Sequence, residues 1–229
     1  MKWISDLIDL IFPRHCIVCG ELLSRQEKDI CIDCLYKLPK IDKSHIGEIE
    51  KVFWGKCDIV SATSYIYYRK GSPYNRLLHA MKYGNRPEVG RRFAEMAADS
   101  IAATGFFDGI DAIVPLPLSK KKQRQRGYNQ CDYIAEGLSI KTGIPVIKKC
   151  IVRTKANETQ THKNRDERWK NVEGIFMLAK PEEIEGKHIL LIDDILTTGA
   201  TLTNCATAIH EGCDCRISIL TLGYTYNGI

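Results

Sequence analysis

The most strongly patterned stretch of the chain is Ile189-Leu-Leu-Ile192, four apolar residues that run into two acids, Asp193 and Asp194. An unbroken apolar run of this length between polar residues reads as a strand buried on both faces. Comparable strand-like stretches recur at 58–68, 111–114, near 150–153, near 174–178 and at 216–222. Between them, 73–82, 87–103, 128–142 and 200–211 read as helices. Strand–helix alternation with apolar strand cores predicts an α/β domain over residues 56–229, its sheet mainly parallel and flanked by helices. The first 55 residues depart from this pattern. Trp3, Ile4, Leu7, Ile8 and Ile11 fall on one helical face and predict a short packing helix. A cysteine-rich stretch and a polar one, LPKIDKSHIGEIEK, follow, so residues 1–55 read as a separate small module.

Cysteine placement sharpens that division. Ten cysteines are present, and four of them lie in two CxxC pairs, Cys16 with Cys19 and Cys31 with Cys34. Two such knuckles supply the tetrahedral four-sulfur set that Zn²⁺ prefers, and a closed set of four leaves no position for catalysis. The expectation is a structural zinc in a ribbon-like module whose folding depends on the metal. His15 and Cys57 are near enough in sequence to serve as substitute ligands. No run of about 18 apolar residues exists, which rules out a membrane-spanning helix. The apolar N-terminus carries Asp6 and Asp9 and has no small-residue cleavage site, so it does not read as a signal peptide. A cytoplasmic location with reduced thiols is expected.

The segment after the acids, Thr197-Thr198-Gly199-Ala200-Thr201, is built of small residues and hydroxyls and leads into a helix. Backbone N–H groups at such a helix start surround a phosphate, and glycine permits close approach. Two carboxylates would repel that phosphate, so they are expected to face a ribose diol or Mg²⁺.

Net charge is +5, but it is unevenly placed. Lys120, Lys121, Lys122, Arg124 and Arg126 give five cations and no acid between residues 119 and 128, read as a loop after Pro115 and Pro117. Residues 148–170 hold eight Lys/Arg, Arg153 and Arg165 among them, against three acids. The two stretches together carry +10, so the remainder carries −5. Such loops suit a diphosphate or a nucleic-acid backbone, or are simply solvated basic segments. Residues 154–165 lack apolar periodicity and read as a mobile segment able to close over a site. Arg165, Arg168 and Asn171 read equally as one exposed helix face.

The strand, acid pair and TTGAT loop resemble the phosphoribosyl diphosphate (PRPP) signature of type I phosphoribosyltransferases. The order of the whole chain resembles the ComF family (ComFC-type). It runs from the CxxC pairs through LLHAMKYGNRPEVG, IVPLPLS, RGYNQ, RTKANETQTHKNRDERWKNVEGIF and LLIDDILTTGATL. The resemblance implies a type I phosphoribosyltransferase-like fold joined to a zinc-finger module. It implies that Asp193 and Asp194 hold ribose hydroxyls and that Thr197, Thr198, Gly199, Ala200 and Thr201 bind the 5-phosphate. Lys120, Arg124, Arg126, Arg153 and Arg165 would meet diphosphate. Gly127, Tyr128, Asn129, Gln130, Gln160 and Asn171 are matched family motif positions. The implied cofactors are structural Zn²⁺ and Mg²⁺ with PRPP. The implied partners are single-stranded DNA, with Tyr128 as an aromatic for base stacking, and DNA-uptake helicase or processing proteins. Two functions follow: a PRPP-binding protein of natural transformation, or an active phosphoribosyltransferase with a base or amine acceptor. A PRPP-sensing regulator is a third. Glutamine-dependent activity is excluded, because the chain opens Met1-Lys2-Trp3 and its first cysteines have metal-ligand spacing.

Overall fold

A computed structural model describes residues 12–42, 46–154 and 175–225. The expected N-terminal helix lies outside the described residues, as do Gln160, Arg165, Arg168 and Asn171.

Four strands form the main sheet: β1 (Ser61–Tyr67), β2 (Ala112–Pro115), β5 (His188–Leu196) and β6 (Arg216–Tyr224). Their order is β1-β6-β5-β2, and every neighbouring pair is parallel. Strands β3 (Ile151–Arg153) and β4 (Phe176–Leu178) make a separate antiparallel pair. The alternating side chains of β5 explain why its apolar run is unbroken. Leu190 and Ile192 face one core, with α3 (Asn75–Tyr83), α4 (Pro87–Ala102) and α6 (Gln130–Thr142). Ile189 and Leu191 face the other, with α7 (Ala200–His210). Each such residue removed from water contributes roughly 1.5–3 kcal/mol. Helices α4 and α6 cross closely at Gly137, where an added Cβ would lie 2.2 Å from the Arg91 carbonyl oxygen.

The sequence-predicted strands and helices are present, with three differences. The basic stretch after β2 is not a loop but helix α5 (Lys120–Arg126). Ser119 caps it by accepting from the Lys122 N–H, and Gly127 ends it at φ 82°. Its lack of apolar periodicity reflects full exposure rather than irregular backbone. Helix α6 begins at Gln130, because Asn129 is its cap. Strand β5 runs through both acids to Leu196 instead of stopping before them.

The ribbon contains a short helix, α1 (Ile32–Tyr36), and docks on α3 and α4. Tyr74 Oη donates to the Cys34 carbonyl at 2.9 Å, and Arg76 donates to the Val18 carbonyl at 2.8 Å. Buried Asp29 accepts two hydrogen bonds from Arg92 and one, at 3.1 Å, from Arg86. Asp29→Ala should destabilise the protein by about 3 kcal/mol, since it strands two guanidinium groups at a semi-buried junction. Chemical denaturation checks this, and an unchanged midpoint would remove Asp29 as the docking residue. Past the ribbon, residues 39–41 pair with β1, through Ile41 N–H to the Tyr65 carbonyl and Tyr67 N–H to the Pro39 carbonyl. Helix α2 (Ile46–Glu50) then places Ile49 and Phe53, both fully buried, in the core beneath α7. The stretch that reads as polar tail is therefore packed on the sheet.

At the opposite end of β5, His188 is buried. Its Nδ1 lies 3.1 Å from the Gly109 carbonyl and its Nε2 lies 2.9 Å from Ser218 Oγ. A carbonyl only accepts, so Nδ1 carries the proton and Nε2 accepts from the hydroxyl. Burial, then the Arg216 charge, lower the pKa of His188. A histidine lowered in the folded state is protonated more readily when unfolded. Stability is therefore full above the unfolded value, about 6.5, and falls as pH drops below it. Melting temperature should decline on acidification through this range, and His188→Asn should flatten the decline.

Candidate functional site

Continuation of β5 through the acids places Asp193 and Asp194 on opposite faces of the sheet. Asp194 is buried and belongs to the α3/α6 side. Its Oδ2 accepts from Lys82 Nζ at 2.9 Å and from Gln130 Nε2 at 2.8 Å. Gln130 is oriented in turn by Arg126, which donates to its Oε1 at 2.7 Å. Asp193 faces α7 and the TTGAT loop, where its Oδ1 accepts from the Asp194 N–H at 2.8 Å and lies 3.5 Å from Cys131 Sγ. Protein encloses Asp193 on most sides although part of it reaches solvent. That enclosure, then the neighbouring Asp194 charge, push its carboxyl up to about 7. Burial, then the same acids, raise the Cys131 thiol well above its ordinary range, so Cys131 stays a neutral donor here.

The loop after β5 forms a small cradle. A cavity of about 30 Å³ is lined by Asp193, Ile195, Thr197, Gly199, Ala200 and Thr201, among others. Thr197 and Thr198 are exposed, and α7 starts at Ala200 without a side-chain cap on Gly199. Its first-turn N–H groups therefore point outward, as an anion site requires. Gly199 is required twice: its φ is 77°, and a Cβ there would lie 2.8 Å from Val52 Cγ1. Val52 and Phe53, from the connection after the ribbon, thus support the loop from beneath. Lys56 joins them, donating to the carbonyls of Val52 at 2.7 Å and Thr198 at 3.4 Å.

Each described RGYNQ residue has a positioning role. Gly127 closes α5, and Tyr128 Oη donates to the Met81 carbonyl at 2.8 Å. Tyr128 is half-buried with its ring edge-on to Tyr133, which removes it as the open base-stacking platform expected from sequence. Asn129 caps α6 and donates to the Leu116 carbonyl at 3.1 Å, tying the loop after β2 to the helix. Lys120 and Arg124 are exposed on α5, whereas Arg126 lies against the Tyr83 ring at 4.9 Å. Arg153 lies over the Phe176 ring at 5.3 Å, in the β3–β4 pair.

Sequence reasoning missed Lys82 and Lys56. Lys82 follows Leu78 by four residues, so it extends the buried stripe of α3 that includes Leu77 and Met81. A lysine in that register was the available signal. Lys56 sits in a polar connection, and nothing in the pattern distinguished it.

The four ribbon cysteines converge, with their sulfurs all within 4.8 Å of one another. Cys19 and Cys31 Sγ are 3.7 Å apart, close to the roughly 3.8 Å that tetrahedral Zn–S bonds of about 2.3 Å impose. Burial raises the Cys16 thiol, but backbone N–H groups of Cys19, Cys31 and Val18 outweigh it and lower that thiol to about 7. The donor set fits a structural zinc ion. The two substitute ligands point elsewhere: His15 Nδ1 lies 2.9 Å from the Gly20 carbonyl, and Cys57 lies beside Thr203 on α7.

Residues 83–223 match the phosphoribosyl transferase domain family, and residues 7–45 match the double zinc ribbon domain. Only four cysteines fall within 7–45, enough for one four-sulfur site. Competence protein ComFC of Bacillus subtilis (strain 168) is 40% identical over 237 residues, covering 96% of this chain and 95% of that protein. Competence protein F of Haemophilus influenzae is 28% identical over 204 residues, covering 87% and 80%. DNA utilization protein YhgH of Escherichia coli (strain K12) is 27% identical over 220 residues, covering 88% and 89%. Parallel sheet, acidic strand end and TTGAT loop together define a phosphoribosyltransferase-type α/β domain carrying a zinc ribbon. Within that class, the chain belongs to the ComF family.

Proposed function

We propose that this protein binds a 5-phosphoribosyl ligand, PRPP with Mg²⁺, at the end of β5 and takes part in handling internalised single-stranded DNA during natural transformation. One observation carries the reading: Asp193 lines the same cradle as residues 197–201, with Asp194 held beside it by Lys82 and Gln130. The loop amides and threonine hydroxyls would take the 5-phosphate, and the carboxylates would accept from the ribose hydroxyls. Among the described residues, no acidic cluster forms a cage for Mg²⁺. The ion fits as one carried on the diphosphate, whose oxygens are the hard ligands it favours.

The transformation role draws support from the competence names of two relatives and from the exposed cations of α5. Binding of a single strand through those cations would weaken steeply with salt, and salt-independent DNA affinity would remove the electrostatic reading. Titration calorimetry with PRPP and Mg²⁺ tests the ligand. Diphosphate release in the presence of an acceptor distinguishes the alternative, an active transferase that is not glutamine-dependent. Binding without release leaves the ligand-binding role.

A further inference from the structure

A second cavity, of about 520 Å³, lies beside the acidic pair. It shares one wall, Ile195, with the cradle of residues 197–201. Lys82 stands at the border, lining the cavity while its ammonium bonds Asp194. Tyr68, His79, Tyr83 and Asn75 supply much of the remaining wall.

Two features of that wall call for a ligand of particular chemistry. Tyr83 is 62% exposed, yet its ring is held in place. The His79 ring lies 4.8 Å from it, and the Arg126 guanidinium lies 4.9 Å from its centroid. An exposed aromatic fixed in this way is a ready stacking surface for another flat ring. Asn75 contributes the second feature. Its Nδ2 donates to the Arg69 carbonyl at 2.9 Å, but its Oδ1 is buried without a donor among the described residues. A buried acceptor in that state is costly, and an N–H group in the cavity would satisfy it. The volume suits a molecule of one or two fused rings and exceeds what ammonia or a small alkylamine would fill.

We propose that this cavity binds a planar nitrogen heterocycle of the nucleobase type, stacked on Tyr83 and His79 with an N–H group on Asn75 Oδ1. The inference rests on the phosphoribosyl reading of the neighbouring cradle and names the second ligand of that site. Two sources offer such a ring, a free base and a base within a single strand.

The test uses the full-length zinc-loaded chain with two probes, adenine and a short oligodeoxyadenylate, each with and without ribose 5-phosphate. Heteronuclear NMR shifts at Asn75, His79 and Tyr83 are the readout. Adenine should move these signals and bind more tightly with ribose 5-phosphate present. Tyr83→Ala should weaken it about tenfold, the scale of one lost stacking contact, with His79→Ala as a second exposed-site variant. Shifts with the oligonucleotide alone would keep the heterocycle site and assign it to strand bases. If neither probe moves these residues while ribose 5-phosphate still shifts residues 197–201, the inference fails and the phosphoribosyl reading stands. If ribose 5-phosphate also has no effect, both fail.

Discussion

Replacing both acids of β5, Asp193→Asn with Asp194→Asn, should lower PRPP affinity by about two to four orders of magnitude. Each carboxylate would accept a charge-assisted hydrogen bond from the ribose, worth roughly 1.5–3 kcal/mol, and two such bonds give that range. Asparagine keeps the shape, so the loss would not come from a collapsed strand. The single variants should differ in stability because the acids differ in setting. Asp194 is the only carboxylate that Lys82 contacts among the printed ion pairs, so Asp194→Asn leaves a lysine against a neutral amide. Asp193 has the opposite balance. Its carboxyl is raised by enclosure and by Asp194, so ionising it costs the folded state. A raised acid gives stability that is full below the unfolded value, about 4, and is lost as pH rises through about 7. Asp193→Asn should remove that decline while abolishing its share of ligand affinity. Calorimetric titration and thermal melts across pH 4–8 separate the two effects. Undiminished PRPP affinity in the double variant would mean that the acids do not hold the sugar.

Removal of zinc from the cysteine quartet should unfold the ribbon. Structural zinc in small modules contributes an apparent binding free energy of about 10–16 kcal/mol, far beyond what so small a core supplies. Cys16, Val18, Cys31, Cys34 and Leu38 are its buried apolar residues, and three of these five are metal ligands. Without the metal, the contacts of Asp29 with Arg92 and Arg86, and of Tyr74 with the Cys34 carbonyl, have nothing to hold them in register. A chelator should therefore release one zinc per chain, expose the ribbon to protease and lower the melting temperature. The parallel sheet should persist, since its two cores are continuous without the ligands. A ribbon that keeps its protease resistance after chelation would show that packing, not metal, holds it.

Sheet and metal site were legible in the sequence for definite physical reasons. Buried parallel strands must be apolar on both faces, so Ile189 to Ile192 announced a central strand. Four thiolates at CxxC spacing have few other uses. The cradle was readable because glycine and threonines between an acid pair and a helix form a rare combination. Tertiary positioning was the part that could not be read. The register of α3 placed Lys82 on Asp194 only because the RGYNQ turn fixes the end of that helix, through Tyr128 on the Met81 carbonyl and Arg126 on Tyr83. Residues 39–57 looked like a polar tail because their anchors, Ile49 and Phe53, are spaced apart among charges. The basic stretch 120–126 concealed a helix because capping by Ser119 and Gly127, rather than an apolar face, defines it.

The packing of residues 39–57 has a practical consequence for solubility. β1 is an outer strand of the sheet, and Pro39 and Ile41 occupy hydrogen-bonding positions along its free side. A chain shortened to begin after residue 57 would uncover that side and empty the places of Ile49 and Phe53. Unpaired strand edges recruit further strands from neighbouring molecules. The shortened protein should therefore self-associate, even with every residue of the phosphate cradle intact.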